Sequence, residues 1–227
     1  LHDILRQLDF QETDGQALRA LVSQKLSDSG FDSLWEDTLL LLLKKTVSLP
    51  LPPCPSENTA PFTLAEVPKS ERLNELEFYF PLRRLAPRDL TQVFSLARPL
   101  LPTASISFPS ERLHFHPTRG FMKGFMDMVF YHAGRFYLVD WKSNYLGGKV
   151  SDYGQEPLAH AMAENFYVLQ YHLYVLALHR YLKVRLPHYS YERDFGCVYY
   201  FFLRGIDPAL GPQYGIYHDR PEEGMIA

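Results

Sequence analysis

Residues 124–142, with the sequence GFMDMVFYHAGRFYLVDWK, decide how this chain folds. Two runs rich in β-branched and aromatic residues flank the segment HAGR at 132–135, a pattern typical of a β-hairpin with a tight turn. If the hairpin is symmetric about the central Ala-Gly pair, Asp127 lies directly opposite Asp140. Because side chains alternate along a strand, Lys142 is then on the same face as Asp140.

The two carboxylates are predicted to lie in strands that are apolar on both faces, as in a central, buried sheet. Alternation places Phe125 and Val129 on the face of Asp127, and Met126 with Met128 on the other. Like charges opposed across a hairpin are destabilising, and an unpaired buried charge is costly. A divalent cation between the carboxylates would offset both costs, and Mg²⁺ suits such hard oxygen ligands.

Two alternatives to a metal site follow from the same residues. In the first, the acids form a structural ion pair at the end of the sheet, with Lys142 neutralising one of them. In the second, a bulge in the turn shifts the pairing by one residue, so that the two acids are no longer opposed.

The composition is that of a globular chain with enough apolar residues to fill a core. Its 227 residues, 46% hydrophobic and 15% aromatic, suit one large domain or a core with a helical appendage. No run of about 18 apolar residues occurs, which predicts that no segment spans a membrane. A net charge of −3 and a pI near 6.3 are unusual for a stand-alone nucleic-acid-binding domain, so contacts with a polyanion must be local or come from partner chains.

The cysteines and the first residues of the sequence indicate the cellular location that we expect. Cys54 and Cys197 are too few for a four-cysteine zinc or iron–sulfur site, and we expect free thiols. The sequence begins with Leu and shows no signal-peptide pattern. We therefore expect a cytoplasmic location and a piece of a longer protein.

The order of the predicted elements indicates an α/β fold with a mixed central sheet flanked by helices. Residues 1–70 are predicted to be an N-terminal helical segment with a proline-rich connection, and residues 71–227 to be the core of the same domain. Strands are predicted at 72–80, 124–130, 136–142, 196–203 and 215–217. Helices are predicted at 87–96 and at about 157–183, and a loop at 99–118.

Three further groups of residues are candidates for a site. Gln170 and Tyr174 are four apart on the long predicted helix and share a face, although core packing would also explain them. Glu75 and Glu77 alternate on a predicted strand, where either could extend an acidic cluster or simply face solvent. His2 opens a helix, and a neutral imidazole can bind a metal, although a lone terminal His is usually incidental.

The spacing Asp127…Asp140-Trp141-Lys142 resembles the D…(D/E)xK signature of the PD-(D/E)xK nuclease superfamily. Around it, residues 124–127, 140–147 and 199–205, together with Gln170-x-x-x-Tyr174, resemble the C-terminal nuclease domains of the RecB family. The likeness is close from about residue 120 to 205, and no motif carries over in residues 11–70. This resemblance implies a restriction-endonuclease-like core.

The resemblance also implies a set of site residues and a chemistry. The implied metal ligands are His2, Asp127 and Asp140, and the implied catalytic residues are Asp127, Asp140, Lys142, Glu75, Gln170 and Tyr174. The acidic strand of the family favours Glu75 but leaves Glu77 open. The implied cofactor is Mg²⁺, with Ca²⁺ as a possible inhibitory substitute, and the implied reaction is hydrolysis of phosphodiester bonds in DNA, preferably single-stranded.

Nuclease domains of the RecB family work beside a motor in double-strand break repair and recombination. The resemblance therefore implies RecC- and RecD-like subunits as partners, and also RecA recombinase. A protein-docking module that recruits the recombinase, with catalysis secondary, is the alternative function. Gly147-Gly148-Lys149 lacks the upstream Gly of a GxxxxGK[ST] phosphate loop and has Val150 where Ser or Thr belongs, so another domain would use ATP.

Overall fold

Five strands form one mixed sheet, as the sequence predicts. The structure is a computed structural model. It describes residues 1–13, 15–55, 60–95, 109–114, 116 and 118–226. Their order in the sheet is the order in the chain. The strands are β1 (Arg72–Leu85), β2 (Thr118–His132), β3 (Arg135–Lys142), β4 (Phe195–Phe202) and β5 (Ile216–Asp219). β3 and β4 are parallel, and the other neighbours are antiparallel.

Helices precede, interrupt and follow these strands. They are α1 (His2–Gln7), α2 (Gln16–Asp28), α3 (Glu36–Ser48), α4 (Pro87–Ser95), α5 (Gln155–Glu164), α6 (Tyr167–Arg185), α7 (Tyr191–Asp194) and α8 (Glu223–Ile226). The parallel pair β3 and β4 needs a long crossover, and α5 to α7 supply it. No helix within the described ranges is both long and apolar enough to cross a membrane.

The turn of the central hairpin sets the predicted register. Ala133 and Gly134 have positive φ values of 47° and 86°, the backbone of a two-residue turn that matches the twist of the strands. The pairing runs from His132 opposite Arg135 to Met128 opposite Val139. The symmetric register is therefore confirmed over these pairs, and Asp127 and Asp140 follow directly after the last of them.

Helices cover both faces of the sheet. On one face, α1 to α3 and the segments 49–54 and 62–67 form a core with Met128, Tyr137, Val139 and Tyr199. On the other face, α5 and α6 form a second core with Val129, Leu138, Val198 and Tyr200. β4 is buried along its whole length, so the middle of the sheet is apolar on both sides.

The predicted alternation along β2 is wrong at one point. Met126 packs in the core of α5 and α6 together with Val129, whereas Met128 packs in the core of α1 to α3. Phe125, expected to be buried, is 47% exposed. The side chains of β2 thus change face at Asp127, and on the facing strand Glu75 has a positive φ of 53°. Asp127 and Glu75 lie at a kink rather than in a regular ladder.

Two other predictions differ from the structure, and one more agrees with it. The long helix expected at 157–183 is two helices, because Phe166 adopts a left-handed backbone with φ of 56° between α5 and α6. Strand β2 begins at Thr118, inside the predicted loop, and residues 99–108, 115 and 117 of that loop lie outside the described residues, as does Leu96. Cys54 and Cys197 are buried thiols that form no disulfide, as predicted.

Candidate active site

The hairpin opens where the two acids lie. Pairing between β2 and β3 ends at Met128 and Val139, whereas pairing between β3 and β4 continues to Lys142. The main-chain N–H of Trp141 donates a hydrogen bond of 2.9 Å to Oδ2 of Asp127. The carboxylate therefore bonds to the backbone of β3 just beyond the end of the strand pairing, and β2 bends away there.

His2 reaches the same backbone segment from α1. Its Nε2 lies 2.8 Å from the carbonyl oxygen of Trp141 and 3.7 Å from Oδ2 of Asp127. A carbonyl oxygen only accepts, so Nε2 carries the ring hydrogen in this arrangement. The main chain of Trp141 thus holds both Asp127 and His2, and to bind a metal through Nε2 the imidazole must give up that hydrogen bond.

Asp140 is the most buried acid of the site, at 3% exposure. Burial raises the pKa of its carboxyl to about 6; Lys142 opposes the rise and the charge of Asp127 adds to it. Its Oδ1 lies 2.5 Å from Nζ of Lys142 and has no other polar partner among the described residues. A buried carboxylate whose Oδ1 has this single polar contact is a suitable ligand for a hard cation.

Lys142 is enclosed by four side chains, one of them Tyr200, whose ring centroid lies 5.1 Å from the ammonium. Besides Asp140, its ammonium donates to Oε1 of Gln170 over 3.0 Å and lies 3.8 Å from the centroid of the Tyr167 ring. The cation–π contact and the ion pair both involve an ammonium group that is only 9% exposed. The lysine is therefore held in one position beside Asp140.

Gln170 connects this lysine to two tyrosines. Its Oε1 also accepts from the hydroxyl of Tyr200 over 3.1 Å, and its Nε2 donates to the hydroxyl of Tyr174 over 2.9 Å. The orientation of the amide follows from Lys142, because an ammonium group has only donors. Burial raises the pKa of Tyr174 to about 12, and the charges of Asp140 and Asp127 contribute to the rise. Tyr174 thus keeps its hydroxyl hydrogen.

The two glutamates of β1 occupy different surroundings. Glu75 accepts a 2.6 Å hydrogen bond from Arg6 of α1, the helix that carries His2, and the register places it opposite Asp127. Glu77 forms an ion pair with Lys123 and accepts from the Tyr79 hydroxyl over 2.8 Å. Glu75 therefore lies at the kink beside the other acids, and Glu77 lies further along the strand.

The arrangement has the donors for a divalent cation without being a preformed cluster. Nowhere in the described part of the chain do three His, Cys, Asp or Glu side chains converge as a metal-binding group. His2 and Asp127 are neighbours, and Asp140 instead contacts Lys142. The donor types, an imidazole, two carboxylates and a main-chain carbonyl, fit such an ion. The ligand set of His2, Asp127 and Asp140 stays a prediction.

Several residues of the network escaped the sequence analysis. The main chain of Trp141 carries no side-chain signal, and Tyr200 is one of many aromatic residues in a buried strand. Tyr167 could have been found from the sequence, because it lies three residues before Gln170 and seven before Tyr174, on one side of a helix.

A groove of about 600 Å³, lined in part by His2, Ser143, Trp35 and Arg204, opens beside the site.

The mixed sheet with helices on both faces and the acids at the opened hairpin define an α/β protein with a PD-(D/E)xK-like fold. Over its full length the chain is homologous to a region of the RecB subunit. It is 41% identical over 228 residues to the RecBCD enzyme subunit RecB of Escherichia coli K12, covering all of this chain and 18% of that protein.

Other RecB subunits show the same relationship. The RecBCD enzyme subunit RecB of Haemophilus influenzae is 42% identical over 172 residues, which are 76% of this chain and 14% of the relative. The one from Mycobacterium tuberculosis H37Rv is 38% identical over 167 residues, which are 67% of this chain and 15% of the relative. The chain spans less than a fifth of the length of these relatives, consistent with a C-terminal region of RecB. No family model matches the chain.

Proposed function

We propose that this chain is the metal-dependent nuclease domain of a RecB-type helicase–nuclease and that it hydrolyses phosphodiester bonds of DNA in double-strand break repair and recombination. The observation that carries the proposal is the buried pair of Asp140 and Lys142, 2.5 Å apart, beside Asp127 at the opened end of the hairpin. A purely structural ion pair does not explain why Asp127 accepts from the main chain of Trp141, between the two residues of the pair, or why Gln170 accepts from Lys142.

The metal would be held by Asp127 and Asp140, with His2 and the carbonyl of Trp141 completing the protein ligands. When bound, Mg²⁺ polarises a non-bridging phosphate oxygen and lowers the pKa of a bound water. Asp140 supplies a carboxylate whose ionised form is disfavoured by burial, so a cation in place of its proton restores a stable charge balance. Ca²⁺ would occupy the same oxygens without supporting the reaction.

Lys142 and its neighbours would act on the phosphodiester. The ammonium, fixed by Asp140 and Gln170, is placed to orient the attacking water and to offset the charge that develops during in-line displacement. Tyr174 accepts from Gln170 and keeps its own O–H as a donor, which can contact a phosphate oxygen of the strand. Glu75 orients the kink of β1 through its bond to Arg6.

The proposed cellular setting is based on the names of the relatives. Their name assigns them to the RecBCD enzyme, so we propose RecC- and RecD-like subunits as partners and DNA, single-stranded in preference, as the substrate. ATP would be used by another part of the protein. Recruitment of RecA recombinase is a second candidate role; the intact Asp127, Asp140 and Lys142 network favours catalysis as the main one.

The test is cleavage of a labelled single-stranded oligonucleotide with Mg²⁺ by the protein and by an Asp140→Ala variant. We expect the variant to lose cleavage and to keep its circular dichroism spectrum. Asp28→Ala, at the exposed end of α2, is the matched control and should cleave normally. Undiminished cleavage by Asp140→Ala would overturn the proposal.

A further inference from the structure

The part of β1 and β2 beyond the kink forms a two-stranded ribbon. Pairing of β2 with β3 stops at Met128, so the earlier residues of β2 pair only with β1, for example Phe125 with Glu77 and Phe121 with Pro81. One face of the ribbon covers α6, because the Phe78 ring lies edge-on to Tyr174 at 5.6 Å and Gly124 lies against Phe78. Alternate residues must therefore point away from α6.

That outward face carries large aromatic side chains. Tyr79 is 63% exposed, Phe121 is 77% exposed and Phe125 is 47% exposed. Lys123 lies among them, with its Nζ 5.0 Å from the Phe125 centroid and 5.3 Å from the Tyr79 centroid. We call the three exposed residues Tyr79, Phe121 and Phe125 the aromatic face. Contiguous exposed rings of this kind mark a binding surface more often than isolated ones do.

The aromatic face is continuous with the candidate active site. Phe125 is two residues from Asp127 on the same strand, and the carboxylate of Asp127 turns toward His2 of α1. Phe125 faces the same side of the sheet as α1, because its neighbour Met126 packs under α6 on the other side. A DNA strand whose phosphate lay at Asp127 would therefore have the Phe125 ring two residues away on the same side of the sheet.

The charges on this face favour stacking over phosphate neutralisation. Glu77 pairs with Lys123, so the cation among the rings is already balanced by a carboxylate. What remains accessible is aromatic surface, since Tyr79, Phe121 and Phe125 stay 63%, 77% and 47% exposed with Lys123 beside two of them. Every nucleobase has a matching π-face, and that face is available in a single strand but not inside a duplex.

We propose that the aromatic face stacks with unpaired bases of the DNA strand that flank the phosphate at the site. The inference rests on the proposed function and adds to it a physical reason for choosing single strands. It also predicts that the contribution of this face to the binding free energy depends only weakly on salt concentration, because no phosphate charge is neutralised there.

The test measures binding of a single-stranded oligonucleotide containing 2-aminopurine to the protein in EDTA, where no cleavage occurs. We expect Phe121→Ala/Phe125→Ala to weaken binding at least about tenfold and to remove the quenching that stacking causes. Tyr131→Ala is the matched control, since Tyr131 is an exposed aromatic residue, 39% accessible, at the turn end of β2 and away from the kink. An oligonucleotide of equal length with abasic sites should bind the unaltered protein as weakly as the normal one binds the double variant.

Two results overturn the inference: unchanged affinity of the double variant, or equal binding of the abasic and normal strands. In the first case a variant that fails to assemble with the partner subunits would assign the face to a protein instead.

Hydrolysis of bis(p-nitrophenyl) phosphate with Mg²⁺ keeps the two proposals apart, because this small diester does not reach the ribbon. The double variant should hydrolyse it normally. If no form of the protein cleaves either this diester or a single-stranded oligonucleotide, the proposed function fails, while a loss of oligonucleotide binding still supports the aromatic face.

Discussion

Asp127 and Trp141 are joined by a 2.9 Å hydrogen bond from the main-chain N–H of Trp141 to Oδ2 of Asp127. Trp141 is also the residue between Asp140 and Lys142, so the position of one acid is tied to the backbone that carries the other. His2 contacts the carbonyl of the same residue. A shift of β3 would therefore move every proposed metal ligand together.

Substitutions of Asp127 should separate its hydrogen bond from its charge. Asp127→Asn keeps an acceptor for Trp141 but loses the negative charge, whereas Asp127→Ala loses both. We expect both variants to bind Mg²⁺ or Ca²⁺ more than about 100-fold more weakly, beyond the loss usual for residues outside the ligand shell. Only Asp127→Ala should also lose about 1 kcal/mol of unfolding free energy, because a donor is left unpaired. Calorimetric metal titration and urea unfolding measure the two effects, and an Asn variant with unaltered metal affinity would contradict the ligand role.

Gln170 should matter more to activity than its distance from the acids suggests. Gln170→Ala removes the acceptor of both Lys142 and Tyr200, so the ammonium is no longer fixed beside Asp140. We expect kcat on a single-stranded oligonucleotide to fall about 10- to 100-fold. Gln16→Ala, an exposed position at the start of α2, should leave kcat unchanged. A Gln170→Ala enzyme with full kcat would show that Lys142 is positioned without the amide.

The hairpin was predictable because the turn and the alternating pattern carry the same information. The segment at 132–135 fixes a two-residue turn, and the turn fixes which residues face each other over the five pairs up to Met128 and Val139. The pairing of Lys142 with Asp140 and the shared face of Gln170 and Tyr174 follow from the periods of a strand and a helix. These are local rules, and the sequence contains all they need.

What could not be predicted depends on contacts between distant segments. The change of face at Asp127 arises because the carboxylate bonds to the backbone of β3 instead of continuing the ladder. The long helix is divided at Phe166, which has a left-handed backbone although the residue is not the glycine that usually indicates this conformation. Tyr200 joins the network only because β4 places it beneath Gln170. None of these features has a residue type or a spacing that points to it in advance.

Asp140 should give the metal-free protein a distinctive dependence on pH. Its pKa is about 6 in the fold against a reference of 3.8, so the fold favours the protonated form. The stabilisation is present below about pH 4 and is lost as the pH rises through 6, by up to about 3 kcal/mol. Other carboxyls titrate in the same range, so the difference in unfolding free energy between the protein and Asp140→Asn isolates the effect. We expect the unsubstituted protein to lose unfolding free energy relative to Asp140→Asn as the pH rises from 4 to 6, measured by urea unfolding in EDTA. A difference that stays constant would contradict the buried position of the carboxyl.

Gly124 should be essential for the surface that holds Tyr174, although it has no functional group. A Cβ at this position would lie 2.5 Å from the Phe78 ring, which packs edge-on against Tyr174. Gly124→Ala must therefore displace Phe78, and we expect a loss of about 1–3 kcal/mol in unfolding free energy together with reduced cleavage. Gly224→Ala in α8, where a Cβ meets nothing within 4 Å, should cost nothing. Adding Phe78→Leu to Gly124→Ala makes room for the new methyl group, so the double variant should lose less stability than the two single losses combined. Additive losses would show that the methyl group, not the displaced ring, causes the damage.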